Sequence, residues 1–188
     1  PLIKAYVLVI RPEDEEEIKG SIIPGVFSED DVVLTTYGGE TREESTWNGI
    51  KVAPEETEMI LYHDGARPFI TVDVIERVIN TLIENKADGA IPVVPVKDTI
   101  KVLNADKYVE TTPNRERLVA VQTPQAFWKD KLISAYKNAR SENIATTDDA
   151  QIVEVFGGKI VTTEGSFYNI KITTPEDLLV GESIILEQ

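Results

Sequence analysis

The sequence predicts an α/β protein built on a mostly parallel, doubly wound sheet, with a hairpin arm standing out from it. Two observations carry this. Short apolar runs of strand length, at 3–10, 32–37, 59–62 and 89–96, alternate with helix-length segments, and β-α-β-α-β-α-β order argues for parallel strands with helices on both faces. The alternation then breaks at one polar hairpin, at about 98–115.

The elements follow in order. The first strand, 3–10, leads into an acidic helix over 13–22, with Pro12 near its start, where proline is tolerated. The run Asp14-Glu15-Glu16-Glu17 reads as a solvated face near a helix N-terminus. The second strand gives way to Gly38-Gly39 and a helix through about Val52. Two glycines between strand and helix let backbone amides approach a ligand, and they serve a tight turn equally well. After the central strand, Thr71 is placed to cap a helix reaching about Lys86, whose Val74, Ile75, Val78, Ile79 and Leu82 share one face and form core.

Residues 97–103 and 107–112 are two short strands joined by Asn104-Ala105-Asp106. They carry few apolar residues, so the arm is poorly buried by its own domain, and such arms often pack on another subunit. A return strand spans 118–122, and an amphipathic helix spans 129–142. Thr146-Thr147-Asp148-Asp149 caps the next helix, which stops at Gly157-Gly158. Strands are expected at 159–163 and 169–172, the latter ending at Thr173-Thr174-Pro175-Glu176-Asp177, a strong helix start.

Composition narrows the function. The chain has 188 residues, 41% hydrophobic and 28% charged, enough for one domain with a substantial core. The formal net charge of −14 argues against general nucleic-acid binding, which needs a basic face. A few clustered Arg and Lys residues can still make a local anion site. No apolar run has the length of a membrane span, and no signal peptide is visible. There is no Cys, which fits the cytoplasm, and His63 is the single histidine, which disfavours zinc sites and Ser-His-Asp catalysis. The chain starts at Pro1 and enters a strand at once, as expected of a piece of a longer protein with an earlier β-α unit.

The run Met59-Ile60-Leu61-Tyr62-His63-Asp64-Gly65-Ala66-Arg67-Pro68-Phe69 is the centre of the functional reading. In open α/β sheets, ligands bind outside the carboxyl ends of such strands. An Asp there can meet a metal or a sugar hydroxyl, and an Arg can meet a phosphate. Asp-Gly before a proline is also ordinary turn chemistry, so this run alone reads equally as a turn or a site. Lys171, a lone charge between Ile170 and Ile172, must face something anionic or solvent.

Six runs in order resemble the 2-C-methyl-D-erythritol 4-phosphate cytidylyltransferase family: Tyr37 to Ser45, His63 to Phe69, Asp98 to Lys101, Gln122 to Phe127, Thr147 to Ala150, and Asn169 to Leu178. The resemblance covers essentially the whole chain. It implies a Rossmann-like, glycosyltransferase-A-like nucleotidyltransferase fold in one domain over 1–188, an obligate homodimer, and a divalent cation, usually Mg2+. The implied reaction joins CTP and a sugar-alcohol phosphate to give a CDP-alcohol and diphosphate in non-mevalonate isoprenoid biosynthesis. Carried over by position, Gly39, Glu40 and Ser45 bind cytosine, with Glu40 where many relatives have Asp. Asp64, Gly65 and Arg67 lie by the nucleotide sugar and second substrate, and Asp64 is the candidate metal ligand. Thr99 and Arg115 reach from the arm to the alcohol phosphate of the neighbouring subunit. Thr147 and Lys171 complete the pocket, with Lys171 catalytic at the reacting phosphates. Phosphoryl chemistry of this kind needs positioning and charge neutralisation more than a strong base, which suits a chain with one His and no Cys.

The family's N-terminal strand and Gly-rich loop have no counterpart in this sequence. The resemblance therefore assigns the activity to a parent protein and predicts that this stretch lacks part of its CTP site. Ribitol-5-phosphate cytidylyltransferase, with the same fold and chemistry, is the alternative, and Asp64-Gly65-Ala66-Arg67 favours the methylerythritol enzyme. A non-catalytic binding domain that lost its triphosphate loop is the alternative from another class.

Overall fold

The computed structural model describes residues 2–142, 144, 146 and 148–187. In chain order these form β1 (Ala5–Ile10), a 3-10 turn (Pro12–Asp14), α1 (Glu15–Glu17), a π-helical stretch (Ile18–Ile22), α2 (Ile23–Val26), β2 (Val32–Tyr37), α3 (Arg42–Val52) and β3 (Met59–Tyr62). Then come α4 (Val72–Asn85), β4 (Gly89–Pro95), β5 (Val102–Leu103), β6 (Val109–Thr111), a 3-10 turn (Arg115–Arg117), β7 (Val119–Val121) and β8 (Gln125–Trp128). The last elements are α5 (Lys129–Glu142), α6 (Asp149–Val155), β9 (Ile160–Glu164) and α7 (Pro175–Glu187). No helix among the described residues is long and apolar enough to cross a membrane. The chain folds into two compact units, Pro1–Ile60 with Trp128–Gly157 and Leu61–Phe127 with Gly158–Gln188.

In the first unit β1 and β2 pair in parallel, from Ala5 opposite Val32 to Ile10 opposite Tyr37, and α3 packs on both. The single helix expected over 13–22 is instead a composite running to Val26. Gly20 weakens α-helical geometry there, and Pro24 has no amide hydrogen to donate four residues back, so the chain widens to a five-residue repeat before α2. Helices α5 and α6 pack together. Their core holds Asp149, fully buried and paired with Arg42 at 2.5 Å, while the Tyr136 hydroxyl donates to its other oxygen. Burial and the Asp149 carboxylate push the Tyr136 phenol well above its ordinary pKa. Trp47 stacks on Tyr136 with ring centres 5.6 Å apart.

The second unit is arranged about β4. Parallel β9 lies on one edge, from Gly89 opposite Ile160 to Val93 opposite Glu164. Antiparallel β7 and β8 share the other edge. The full sheet order is β3-β8-β4-β7, with β9 beside β4. Strand β8 was not foreseen, because Pro124 beside it reads as a strand breaker. Gly89 is where strands close most tightly: a methyl there would sit 2.5 Å from the Phe127 ring and 2.7 Å from Ile160. Helix α4 covers β4 and β9 and buries Val74, Val78, Ile79 and Leu82, while Ile75 is half-buried. Thr71 stands at the N-cap in extended conformation, but its side chain makes no capping bond.

Along the β7–β8 edge the register shifts. Ala90 faces Ala126 and Val93 faces Val121, so Ile91 and Pro92 lie opposite four residues, Gln122 to Gln125. Pro92 has no N–H for the ladder, and its carbonyl accepts from the Gln122 amide at 2.8 Å. The two surplus residues bulge out of the edge, and bulges of this kind re-aim side chains beside sites. Strands β5 and β6 form the expected antiparallel hairpin, and every residue from 97 to 112 is exposed.

The strand expected at 169–172 does not form. Its backbone is spent elsewhere. The Asn169 amide donates to the Ser166 carbonyl, its own carbonyl accepts from side chains, and a single backbone–backbone bond, from the Ile172 amide to Ala66 O at 2.8 Å, joins this segment to the turn after β3. The helix start after it is as expected. The Asp177 carboxylate accepts from the Thr173 and Thr174 amides, each at 2.8 Å, and these bonds hold its pKa below the usual range.

Candidate active site

Strand β3 delivers Asp64 and Arg67 to a tight turn closed by the Arg67 amide on the Asp64 carbonyl at 3.0 Å. Both side chains are 13% exposed, whereas Lys171 is 44% exposed. Lys171 Nζ lies 2.9 Å from Asp64 Oδ2, and the Tyr62 hydroxyl donates to Asp64 Oδ1 at 2.8 Å. Arg67 Nε faces Asp64 Oδ2 at 3.7 Å, an ionic contact too long for a hydrogen bond. Sequence reading proposed Asp64, Arg67 and Lys171 for one pocket, and the fold brings these three together. A methyl on Gly65 would meet nothing within 4 Å, so alanine fits there.

A buried scaffold holds this cluster. Arg67 Nη1 donates to the Asn169 carbonyl at 2.7 Å, and the Asn169 side-chain amide donates to the Thr123 carbonyl at 2.8 Å. Gln122, in the bulge, donates to the Ser166 carbonyl at 2.8 Å and accepts from its amide at 3.1 Å. The Asp64 amide donates to the Thr123 hydroxyl at 3.0 Å. Asn169 is fully buried and stands two residues before Lys171, so it fixes where that lysine leaves the backbone. Burial holds the His63 pKa below the usual value near 6.5, an effect that the Asp64 carboxylate opposes and the Arg67 guanidinium reinforces. Asn169, Gln122 and His63 were not singled out as functional residues from the sequence. The available signal was the place of His63 and Asn169 in the same runs as Asp64 and Lys171, and of Gln122 at the head of a run of its own.

The first unit carries the glycine loop. Thr41 caps α3, its hydroxyl accepting from the Glu44 amide at 3.1 Å, and Glu44 reaches back to accept from the Glu40 amide at 2.8 Å. This is a capping box shifted by one residue. The Ser45 hydroxyl accepts from the Gly39 amide and donates to the Thr41 carbonyl, both at 3.0 Å. Ser45 thus shapes the loop that presents Gly39, with its one proton already committed. A methyl on Gly39 would lie 2.3 Å from Glu44 Cβ, so only glycine lets the loop close on its own helix. Glu40 is exposed.

Thr99 is exposed on the arm, and Arg115 donates to the Lys97 carbonyl at 2.7 Å. Lys97 Nζ sits 3.9 Å from the centre of the Phe167 ring, which pins the base of the arm. Thr147 lies outside the described residues. Among the described residues, no three His, Cys, Asp or Glu side chains gather as a metal cage. Asp64 as a single carboxylate suits only a hard cation that keeps most of its waters.

A family model for 2-C-methyl-D-erythritol 4-phosphate cytidylyltransferase matches residues 1–187. A protein of that name from Alkaliphilus oremlandii is 42% identical over 183 residues, covering 97% of this chain and 76% of the relative. One from Caldanaerobacter subterraneus is 41% identical over 180 residues, covering 96% and 78%. The crystal structure of 4-diphosphocytidyl-2C-methyl-D-erythritol synthase from Anaerococcus prevotii superposes with a TM-score of 0.89 at 36% identity, covering 98% of this chain and 82% of that one.

Proposed function

The chain belongs to the 2-C-methyl-D-erythritol 4-phosphate cytidylyltransferase family, and from that premise we propose that it transfers the cytidylyl group of CTP to 2-C-methyl-D-erythritol 4-phosphate, releasing diphosphate, in non-mevalonate isoprenoid synthesis. The observation that supports this best is the Lys171–Asp64 contact of 2.9 Å, with Arg67 in the same turn. Two cations and one acid on a buried scaffold suit the handling of phosphates and a sugar.

In this reading an oxygen of the alcohol phosphate attacks the α-phosphorus of CTP, and the bond from that phosphorus to the bridging oxygen of diphosphate breaks. The nucleophile is already an anion, so no residue need remove a proton. Lys171 leaves Asp64 for the reacting phosphates and neutralises charge that grows in the transition state. Asp64, released, is placed to accept from a sugar hydroxyl or to share a divalent cation. Mg2+ held by Asp64 and the triphosphate would supply further charge neutralisation. The loop of Gly39, Glu40 and Ser45 takes the cytosine, with the exposed Glu40 side chain at its edge, while the Gly39 and Glu40 amides are spent inside the loop on Ser45 and Glu44.

The protein works as a homodimer in this reading. The arm leaves the apolar side chains of Leu103, Tyr108 and Val109 exposed at 54%, 74% and 58%, and a two-stranded hairpin without burial is marginal in water, so packing on a second copy would supply what it lacks. Docked on a second copy, it would bring Thr99 and Arg115 to that copy's substrate phosphate. Mixing inactive Arg115→Ala and Lys171→Ala subunits tests this. Random exchange should restore about a quarter of native activity, because roughly half the dimers are mixed and each has one intact site. No recovery despite exchange seen by mass spectrometry rules the shared pocket out. The reaction is tested by following diphosphate release from CTP with methylerythritol phosphate and with ribitol phosphate side by side. Preference for ribitol phosphate would replace the substrate, and no release with either would replace the reading.

A further inference from the structure

His63 stands next to Asp64, yet both of its nitrogens are turned to the protein. Nε2 lies 3.1 Å from the Arg67 carbonyl, and Nδ1 lies 3.0 Å from the Thr123 hydroxyl. Donor arithmetic fixes the proton. A carbonyl can only accept, so Nε2 carries the hydrogen. The Thr123 hydroxyl accepts from the Asp64 amide and, with the ring kept neutral by burial, turns its one proton to the Nδ1 lone pair. The ring is therefore a neutral strut between the bulge, which holds Asp64 by its amide, and the far end of the turn, where Arg67 begins.

We propose that His63 is a positioning residue: in its neutral Nε2–H form it clamps the Asp64–Arg67 turn between Thr123 and the Arg67 carbonyl, and so sets where Asp64 meets Lys171. It acts through Asp64 and Arg67 and does not touch the reacting phosphates. A general-base role does not fit, since the only basic nitrogen of this tautomer is filled by Thr123. The kinetic part of the claim rests on the cytidylyl-transfer reading; the tautomer does not.

One histidine in the whole chain makes the test direct. Long-range nitrogen–proton correlation spectra of the labelled protein at neutral pH report His63 alone. The Nε2–H neutral form is expected; the Nδ1–H form or an imidazolium overturns the clamp. In kinetics, His63→Phe keeps the ring shape and loses both bonds. It should lower kcat by roughly tenfold to a hundredfold, the scale of a misplaced catalytic group, with KM for CTP nearly unchanged. His63→Gln returns a donor toward the Arg67 carbonyl and should recover most of the loss at similar Tm. Native-like kcat in His63→Phe, or equal losses in both variants, overturns the proposal. If the native protein transfers no cytidylyl group, the fault lies with the reaction, and the tautomer still decides the clamp.

Discussion

The Gly39 loop and the Asp64 turn are built on different length scales. In the loop, Gly39, Glu40, Thr41, Glu44 and Ser45 satisfy one another across three to six residues of chain. At the turn, the bonds that matter run from Asp64 to Thr123, from Arg67 to Asn169 and from Asn169 to Thr123, across 59, 102 and 46 residues. The loop therefore needs little beyond its own helix to take shape. The turn has its shape only once the strands around β4 have assembled, because its partners come from two other, distant stretches of chain. A loop of this kind can be closed locally by its own amides, one hydroxyl and one carboxylate. A charge cluster needs buried struts, since unbraced charges would relax into solvent.

The contrast can be broken at several points. Lys171→Ala should have the largest effect, about a hundredfold in turnover, the scale of one transition-state charge contact, with an unchanged circular dichroism spectrum. Near-native turnover would leave Lys171 as a surface charge. Asn169→Asp keeps the shape of the hub but sets an acceptor against the Thr123 carbonyl. A loss of about 1–3 kcal/mol in denaturant unfolding is expected. A loss no larger than that of a loop variant would show that the long-range bonds are not special. Gly39→Ala puts a methyl into Glu44, and overpacking of this kind costs about 1–3 kcal/mol. Should the loop act as a local unit, that cost appears as a raised KM for CTP, with diphosphate release at saturation nearly intact.

Thr41→Ala removes one capping bond, worth about 1 kcal/mol, or a fall of about 2–4 °C in Tm. The smallest effect is with pH. His63 has a depressed pKa in the folded state, so the unfolded chain binds its proton first on acidification. Its contribution to stability is full above about 6.5 and is lost as the pH falls from there through the folded value. His63→Gln should remove that part of the slope from a Tm-against-pH series, and an unchanged slope would mean that the ring is not held neutral.

The two length scales also decide what could be read from sequence. Helix α5 fell where its apolar period put it, and β2 was equally plain, because each is encoded within a few neighbouring residues. Asp64, Arg67 and Lys171 were found through the runs that carry them. What holds them was not legible. Nothing local marks Asn169 as a fully buried hub, and it reads as the start of a strand because Ile170 and Ile172 alternate around Lys171. Only the tertiary fold shows that its carbonyl is claimed by Arg67 and Gln122. The composite helix after β1 failed for the opposite reason: Gly20 and Pro24 were visible, but the acidic run before them dominated the pattern.

The two-residue surplus between β7 and β8 sets a parity rule for this edge of the sheet. Because the excess is even, side chains on both strands keep the same alternation against β4. Loss or gain of a single residue among Gln122, Thr123 and Pro124 would turn Ala120 to the side now held by Val119 and Val121, and would invert the strand from which the arm departs. Length variation here should come in pairs. An engineered library of one- and two-residue deletions would separate folded from unfolded members by whether the number removed is odd or even.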